Sequence, residues 1–168
     1  MITMKPCKGF TLIETMVAIT VLLVSLAGPL TIATKGLSAA VFARDQITAF
    51  YLAQEAVEFI RNRRDEFGLQ ANSTGFTSAF SSCFSGVCRV DISNSSVTAC
   101  TGSCPVLRYN QTTGFYNYVS GTNSRFTRNI SFRSLSSFET EVRVTINWTS
   151  GLVGKSFSIQ ENLLDWQL

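Results

Sequence analysis

The chain has 168 residues, 45% hydrophobic and 15% charged, with 14 Lys and Arg against 11 Asp and Glu. That length suits one globular domain with one additional element, and a net charge of +3 is too small and too scattered to mark a nucleic-acid surface. Histidine is absent, which excludes Ser-His-Asp and Cys-His catalysis and imidazole-held metals.

In chain order, MITMKPCKG comes first and carries Lys5 and Lys8 but no acid. The run from Thr15 to Thr34 then has no charge at all, and about 20 apolar residues of helix cross a bilayer core of roughly 30 Å. By the positive-inside rule the basic end stays cytoplasmic and the chain after Lys35 lies outside. A secretory signal peptide is the plainer alternative, because Ser25 and Ala27 form a small-x-small site at the end of the run. Two features oppose it: Glu14 interrupts the apolar region near its start, and the helical pattern continues past the supposed cut.

A carboxylate at mid-bilayer costs about 2.5 kcal/mol or more, so Glu14 at the edge of the span calls for a partner. Its surroundings, Lys8-Gly9-Phe10-Thr11-Leu12-Ile13-Glu14 followed directly by the apolar run, resemble the prepilin motif of type IV pilins and type II secretion pseudopilins. The resemblance implies a leader, residues 1–9, cut by prepilin peptidase between Gly9 and Phe10, with N-methylation of the new N-terminal Phe10. It also implies that Glu14 meets the α-amino group of a neighbouring subunit. In a continuous helix Phe10 and Glu14 share a face. Gly28 and Pro29 lie within the span, where proline removes a backbone hydrogen bond and loosens or kinks the helix.

Helical periodicity continues through Leu37, Val41, Ile47, Phe50, Tyr51, Val57, Phe59 and Ile60. One helix is therefore expected over residues 10–67, with its transmembrane part at about 15–34, a basic end at Arg61, Arg63 and Arg64, and Gly68 as C-cap. Glu55, Glu58, Arg61 and Arg63 read as a solvated face with weak ion pairs. YLAQEAVEFIRNRRDE and the terminal Leu163-Leu164-Asp165-Trp166 are similar to segments of PilV-type minor pilins and, for the first, of I-type minor pseudopilins.

Residues 68–168 are expected to form a β-rich globular part, with an insertion over 72–125 that is rich in Ser, Thr, Asn and Gly. The insertion holds Cys83, Cys88, Cys100 and Cys104, while Cys7 lies in the leader. Four cysteines allow three pairings. The short loops favour Cys83 with Cys88 and Cys100 with Cys104, and an interleaved pairing stays open. A four-thiolate zinc site is the sharper alternative, but outside the cytoplasm disulfides are favoured and no metal is expected. Short strands are expected at 87–92, 107–111 and 115–119, the last two joined across Thr113-Gly114.

In the last third, Phe126, Ile130 and Phe132 alternate with polar residues, as do Val142, Val144, Ile146 and Trp148, then Phe157 and Ile159. That period predicts half-buried antiparallel strands, with a hairpin turn at Ser150-Gly151 and Gly154 and an open face of Glu141, Arg143, Thr145 and Asn147. The implied class is α+β, the pilin fold: a long N-terminal helix whose outer half packs on a C-terminal antiparallel sheet.

No glycine-rich phosphate loop, HExxH, acidic calcium loop or nucleophile elbow is present, so neither enzyme activity nor a cofactor is expected. Arg125, Arg128 and Arg133 are the only candidates for a phosphate contact, and losing Lys5 and Lys8 lowers the net charge by two. Nucleic acid is therefore a poor fit. The resemblance implies a minor pilin at or near a filament tip, assisting assembly or surface contact. Its partners are other pilin or pseudopilin subunits, prepilin peptidase and an inner-membrane assembly platform. Its location is the inner membrane as a single-pass precursor, then a pilus or pseudopilus outside the cytoplasm. The alternatives are a minor pseudopilin of a type II secretion or DNA-uptake machine and, from another class, a soluble binding protein secreted after signal-peptide cleavage.

Overall fold

The computed structural model describes residues 9–69 and 75–164. It divides into two units, Met1–Ala43 and Arg44–Leu168, and helix α1 (Leu12–Leu69) supplies residues to both. In the first unit residues 12–40 are all exposed, and α1 is long and apolar enough to cross a membrane. Each hydroxyl side chain between Thr15 and Thr34 donates to a carbonyl three or four residues back: Thr15 to Leu12, Thr20 to Val17, Ser25 to Leu22, Thr31 to Ala27 and Thr34 to Thr31, at 2.8–3.0 Å. Such bonds leave no hydroxyl donor unsatisfied, a condition that hydrocarbon imposes and water does not. Helix α1 continues through Gly28 and Pro29 without interruption. The missing N–H of Pro29 deprives only the carbonyl of Ser25 of its helical partner.

In the second unit the buried face of α1 is Asp45, Ala49, Leu52, Ala53, Ala56, Val57 and Ile60, steps of three and four that form one stripe. Expectation and structure differ here. Ile47, Phe50 and Tyr51, which carry part of the helical periodicity, are exposed, and three alanines take the central positions of the buried stripe. Small side chains let a helix approach a sheet closely, so the stripe follows fit instead of bulk. Gly68 is also not the C-cap, since α1 runs on to Leu69.

Two short helices, α2 (Gly75–Ala79) and α3 (Ser81–Phe84), precede the sheet. Its strands are β1 (Cys88–Asp91), β2 (Ser96–Ala99), β3 (Val106–Tyr109), β4 (Tyr116–Asn117), β5 (Thr122–Ser134), β6 (Glu139–Ser150) and β7 (Val153–Leu164). Every pairing is antiparallel. One side of β5 carries β6 and then β7; the other side is shared by β1, extended by β2, and by β3, extended by β4. The expected strands at 87–92, 107–111 and 115–119 correspond to β1, β3 and β4, whereas β2, α2 and α3 were not foreseen. The β6–β7 turn is Gly151-Leu152, with Gly151 at φ 63°. Gly154 lies inside β7, opposite Thr149.

Inward positions of the long strands alternate as expected: Phe126, Ile130 and Phe132 on β5, and Val142, Val144, Ile146 and Trp148 on β6, are buried. Full burial of side chains such as Ile60, Ile130 and Ile146 contributes about 1.5–3 kcal/mol each. The insertion also enters this core. Phe80 packs on Phe132 at 5.1 Å and 85° and on Phe76 at 5.1 Å, and Cys83, Cys88, Val90 and Leu107 are fully buried. Cys83 is bonded to Cys88 and Cys100 to Cys104, with Cα–Cα distances of 5.0 Å.

Candidate functional site at the head of the apolar helix

Gly9 and Phe10 precede the helix and are exposed. Phe10 is not helical, so it does not share a helix face with Glu14 as the continuous-helix argument required. Thr11 explains where the helix begins. Its carbonyl accepts from the N–H groups of Glu14 and Thr15 at 3.1 and 3.2 Å, and its Oγ1 accepts from Glu14 N–H at 3.4 Å. Thr11 is therefore the N-cap, and Thr11-Leu12-Ile13-Glu14 has the sequence of a capping box. That role was missed, although a Thr-x-x-Glu string before an apolar run is its sequence signal.

The consequence is geometric. Capping by Thr11 starts the helix after Phe10, so the Gly9–Phe10 peptide bond is non-helical and its two residues are exposed. The Glu14 carboxylate lies in the first turn, where the helix dipole favours negative charge. It is exposed and has no side-chain bond or ion pair among the described residues. Gly28 and Pro29 are exposed within the same helix.

The comparisons with known proteins bear on this segment. A family model described as the prokaryotic N-terminal methylation motif matches residues 4–28. This chain bears the signature of type IV pilins and pseudopilins. The match takes in Gly9, Phe10, the capping string and more than half of the apolar run. Comparison with curated proteins and with solved structures returns no match. The motif and the apolar helix fit a membrane-anchored precursor. A long helix packed on an antiparallel sheet is the pilin-like arrangement.

The globular unit holds the remaining charged candidates, and the structure engages all of them. Arg128 was a candidate phosphate contact, but it is fully buried. It donates to the carbonyls of Leu52 at 3.1 Å and Val90 at 2.7 Å and to Glu55 at 3.0 Å, so it ties α1 to β1 and β5. The sequence carried a signal for this, because Arg128 stands in the inward register of Phe126 and Ile130. Arg125 bonds buried Asp45 at 2.8 Å, and Arg133 bonds Glu141 at 2.8 Å. Arg61 pairs with Glu58 and Glu161 at 2.7 Å, and Arg63 and Arg64 pair with Glu66 and Asp65 at 2.8 Å.

Proposed function

We propose that the chain is a minor pilin, a structural subunit that is not an enzyme, placed at or near the tip of a type IV pilus, where it assists assembly or surface contact. In this reading residues 1–9 are the leader, which lies mostly outside the described residues. Prepilin peptidase cuts after Gly9, and Phe10 becomes the methylated N-terminus. Residues 10–67 act as the anchoring and packing helix, and 68–168 complete the globular part. The reading is carried by the methylation motif over residues 4–28, and the exposed non-helical Gly9–Phe10 bond supports it.

Glu14 supplies the carboxylate that neutralises the α-amino group of the next subunit as both leave water, which also hides its charge from lipid. The similarity of YLAQEAVEFIRNRRDE to minor pilins of the PilV type supports the minor assignment.

The test is the mature N-terminus. Mass spectrometry of the protein from its own host is expected to show a chain beginning at methylated Phe10, and Gly9→Val is expected to leave the uncut precursor in the membrane. A chain beginning at Gly28 would establish a secreted protein instead. Deleting the gene is expected to reduce piliation. Loss of secretion with normal piliation would move the assignment to a pseudopilin.

A further inference from the structure

We infer that the β6–β7 turn of the globular unit is a second membrane contact, in which Leu152 and Val153 enter the headgroup layer of a bilayer that contains anionic lipid. The inference rests on the reading of the chain as anchored by its apolar helix. The turn is apolar without a structural need to be. Ser150 pairs with Val153, so Gly151-Leu152 is a two-residue loop, and glycine at its first position supplies the φ of 63° that such a loop requires. Leu152 has no positive φ, so the loop would accept a polar residue there, the usual choice at a tip. Leu152 is instead fully exposed, and Val153 is 56% exposed. Packing inside the unit accounts for neither.

The place of the turn says what covers it. β7 runs beside α1 in the same direction, since Phe157 packs on Phe50 with ring centroids 6.0 Å apart and Glu161, further along, pairs with Arg61 at 2.7 Å. The turn precedes Phe157, so it stands at the end of the unit where α1 enters, at Arg44. From Phe157 back to Leu152 is about 16 Å of strand, and from Phe50 back to Arg44 is about 9 Å of helix. The tip therefore reaches Arg44 or beyond. The apolar run ends at Thr34, and Lys35 to Arg44 is about 14 Å of helix. A bilayer that takes up the run is thus the surface to which the chain itself tethers this end.

The charge at the same end suits that surface. Arg44 and Arg125 have side chains 72% and 42% exposed, and Lys155 is exposed just after the tip. Asp45 is the sole acid in residues 35–54, and residues 122–130 and 142–160 have none. Asp45 is buried and takes Arg125 at 2.8 Å, which offsets one charge and leaves the end positive. Anionic headgroups answer the cations, and the boundary with the acyl chains answers Leu152 and Val153.

The test uses the full chain with Cys7→Ser, so that one introduced thiol is the only free one, Cys83, Cys88, Cys100 and Cys104 being bonded. It is placed one copy per nanodisc, in phosphatidylcholine with or without phosphatidylglycerol. Spin labels are read by collision with oxygen, which favours lipid, and with a nickel chelate, which favours water. Val24→Cys reports the anchor, Val153→Cys the turn, and Ser137→Cys the β5–β6 turn at the opposite end of the sheet. With phosphatidylglycerol present, the labels at Val24 and Val153 are expected to favour oxygen and the label at Ser137 nickel. Leu152→Asp is expected to return the Val153 label to water, and Lys155→Glu to lower its lipid-facing population about five-fold or more, both with an unchanged circular dichroism spectrum. A Val24 label in lipid with the Val153 label in water overturns the inference and leaves the anchor standing, whereas a Val24 label in water overturns both. Indifference of the Val153 label to Leu152→Asp, or equal contact without phosphatidylglycerol, also overturns it. So does a Val153 label that leaves water only when a second copy shares the disc, because a neighbouring subunit is then the cover.

Discussion

Glu141 was expected to be an ordinary solvated residue on the open face of β6, yet its side chain is only 7% exposed. The cover comes from long polar neighbours: Arg133 bonds Oε2 at 2.8 Å, Gln160 donates to the same oxygen at 2.8 Å, and Arg143 lies 3.5 Å from Oε1. The hydrogen bond from Arg133, with the charges of Arg133 and Arg143 behind it, holds the Glu141 carboxyl below its ordinary value of 4.5 against a smaller opposing effect of burial. Because the folded value is the lower one, the carboxylate stabilises the fold above 4.5, and that contribution fades as the pH drops through the folded value. Urea unfolding across roughly pH 3 to 7 is therefore expected to show a shallower acid limb for Glu141→Gln than for the parent chain. About 1 M salt is expected to narrow the difference, since Arg133 is largely exposed. Alternation along β6 gave the face on which Glu141 sits. It could not give the cover, which depends on strand register, Arg133 opposite Glu141 on one side and Asn162 on the other.

Among the elements, the long strands were the most legible, because a period of two in Phe126 to Phe132 and Val142 to Trp148 reflects a sheet with one buried face. The helix existed as read, but its packing stripe did not follow the large residues, since Ala49, Ala53 and Ala56 announce close approach only once a sheet is there to approach. The insertion was least legible. The large apolar side chains that it buries, Phe76, Phe80, Val90 and Leu107, are too widely spaced for any period, and Phe76 and Phe80 pack on Phe132 of distant β5. The two disulfides sit within this insertion, and they close loops with sequence separations of 5 and 4. Chain entropy then gives each about 2 kcal/mol. Reduction is expected to speed amide exchange over residues 83–104, with β5, β6 and β7 still protected and the thiols of Cys83 and Cys88 packed as apolar groups. Exchange rising equally across all the strands would show that the bridges hold the whole sheet.

For the whole molecule, the candidate site was readable because its parts are contiguous: leader charge, Gly9, Phe10, the Thr11-to-Glu14 string and the apolar run need no tertiary contact to be recognised. What the sequence reading missed there was the cap, and with it the fact that Phe10 stands before the helix. On the proposed reading Glu14 serves assembly and not folding, so Glu14→Ala is expected to leave the chain cleaved, membrane-bound and thermally unchanged while less of it enters filaments, as measured by immunoblot of sheared surface fractions against whole cells. The β5 strand has a further consequence, in the time domain. It begins at Thr122, and with β6 and β7 it supplies the inward side chains that cover Ala49 to Ile60. A ribosome adding about 5–20 residues per second needs several seconds to pass from the end of α1 to the end of β7. Throughout that interval the inner stripe of α1 has been synthesised but has no sheet to lie on, while the apolar stretch of Thr15 to Thr34 is already available to a bilayer. On the proposed reading, insertion of that stretch comes before folding of the globular unit, and a mutation that slows the closing of β5 on β6 lengthens the time that Leu52, Val57 and Ile60 stand uncovered.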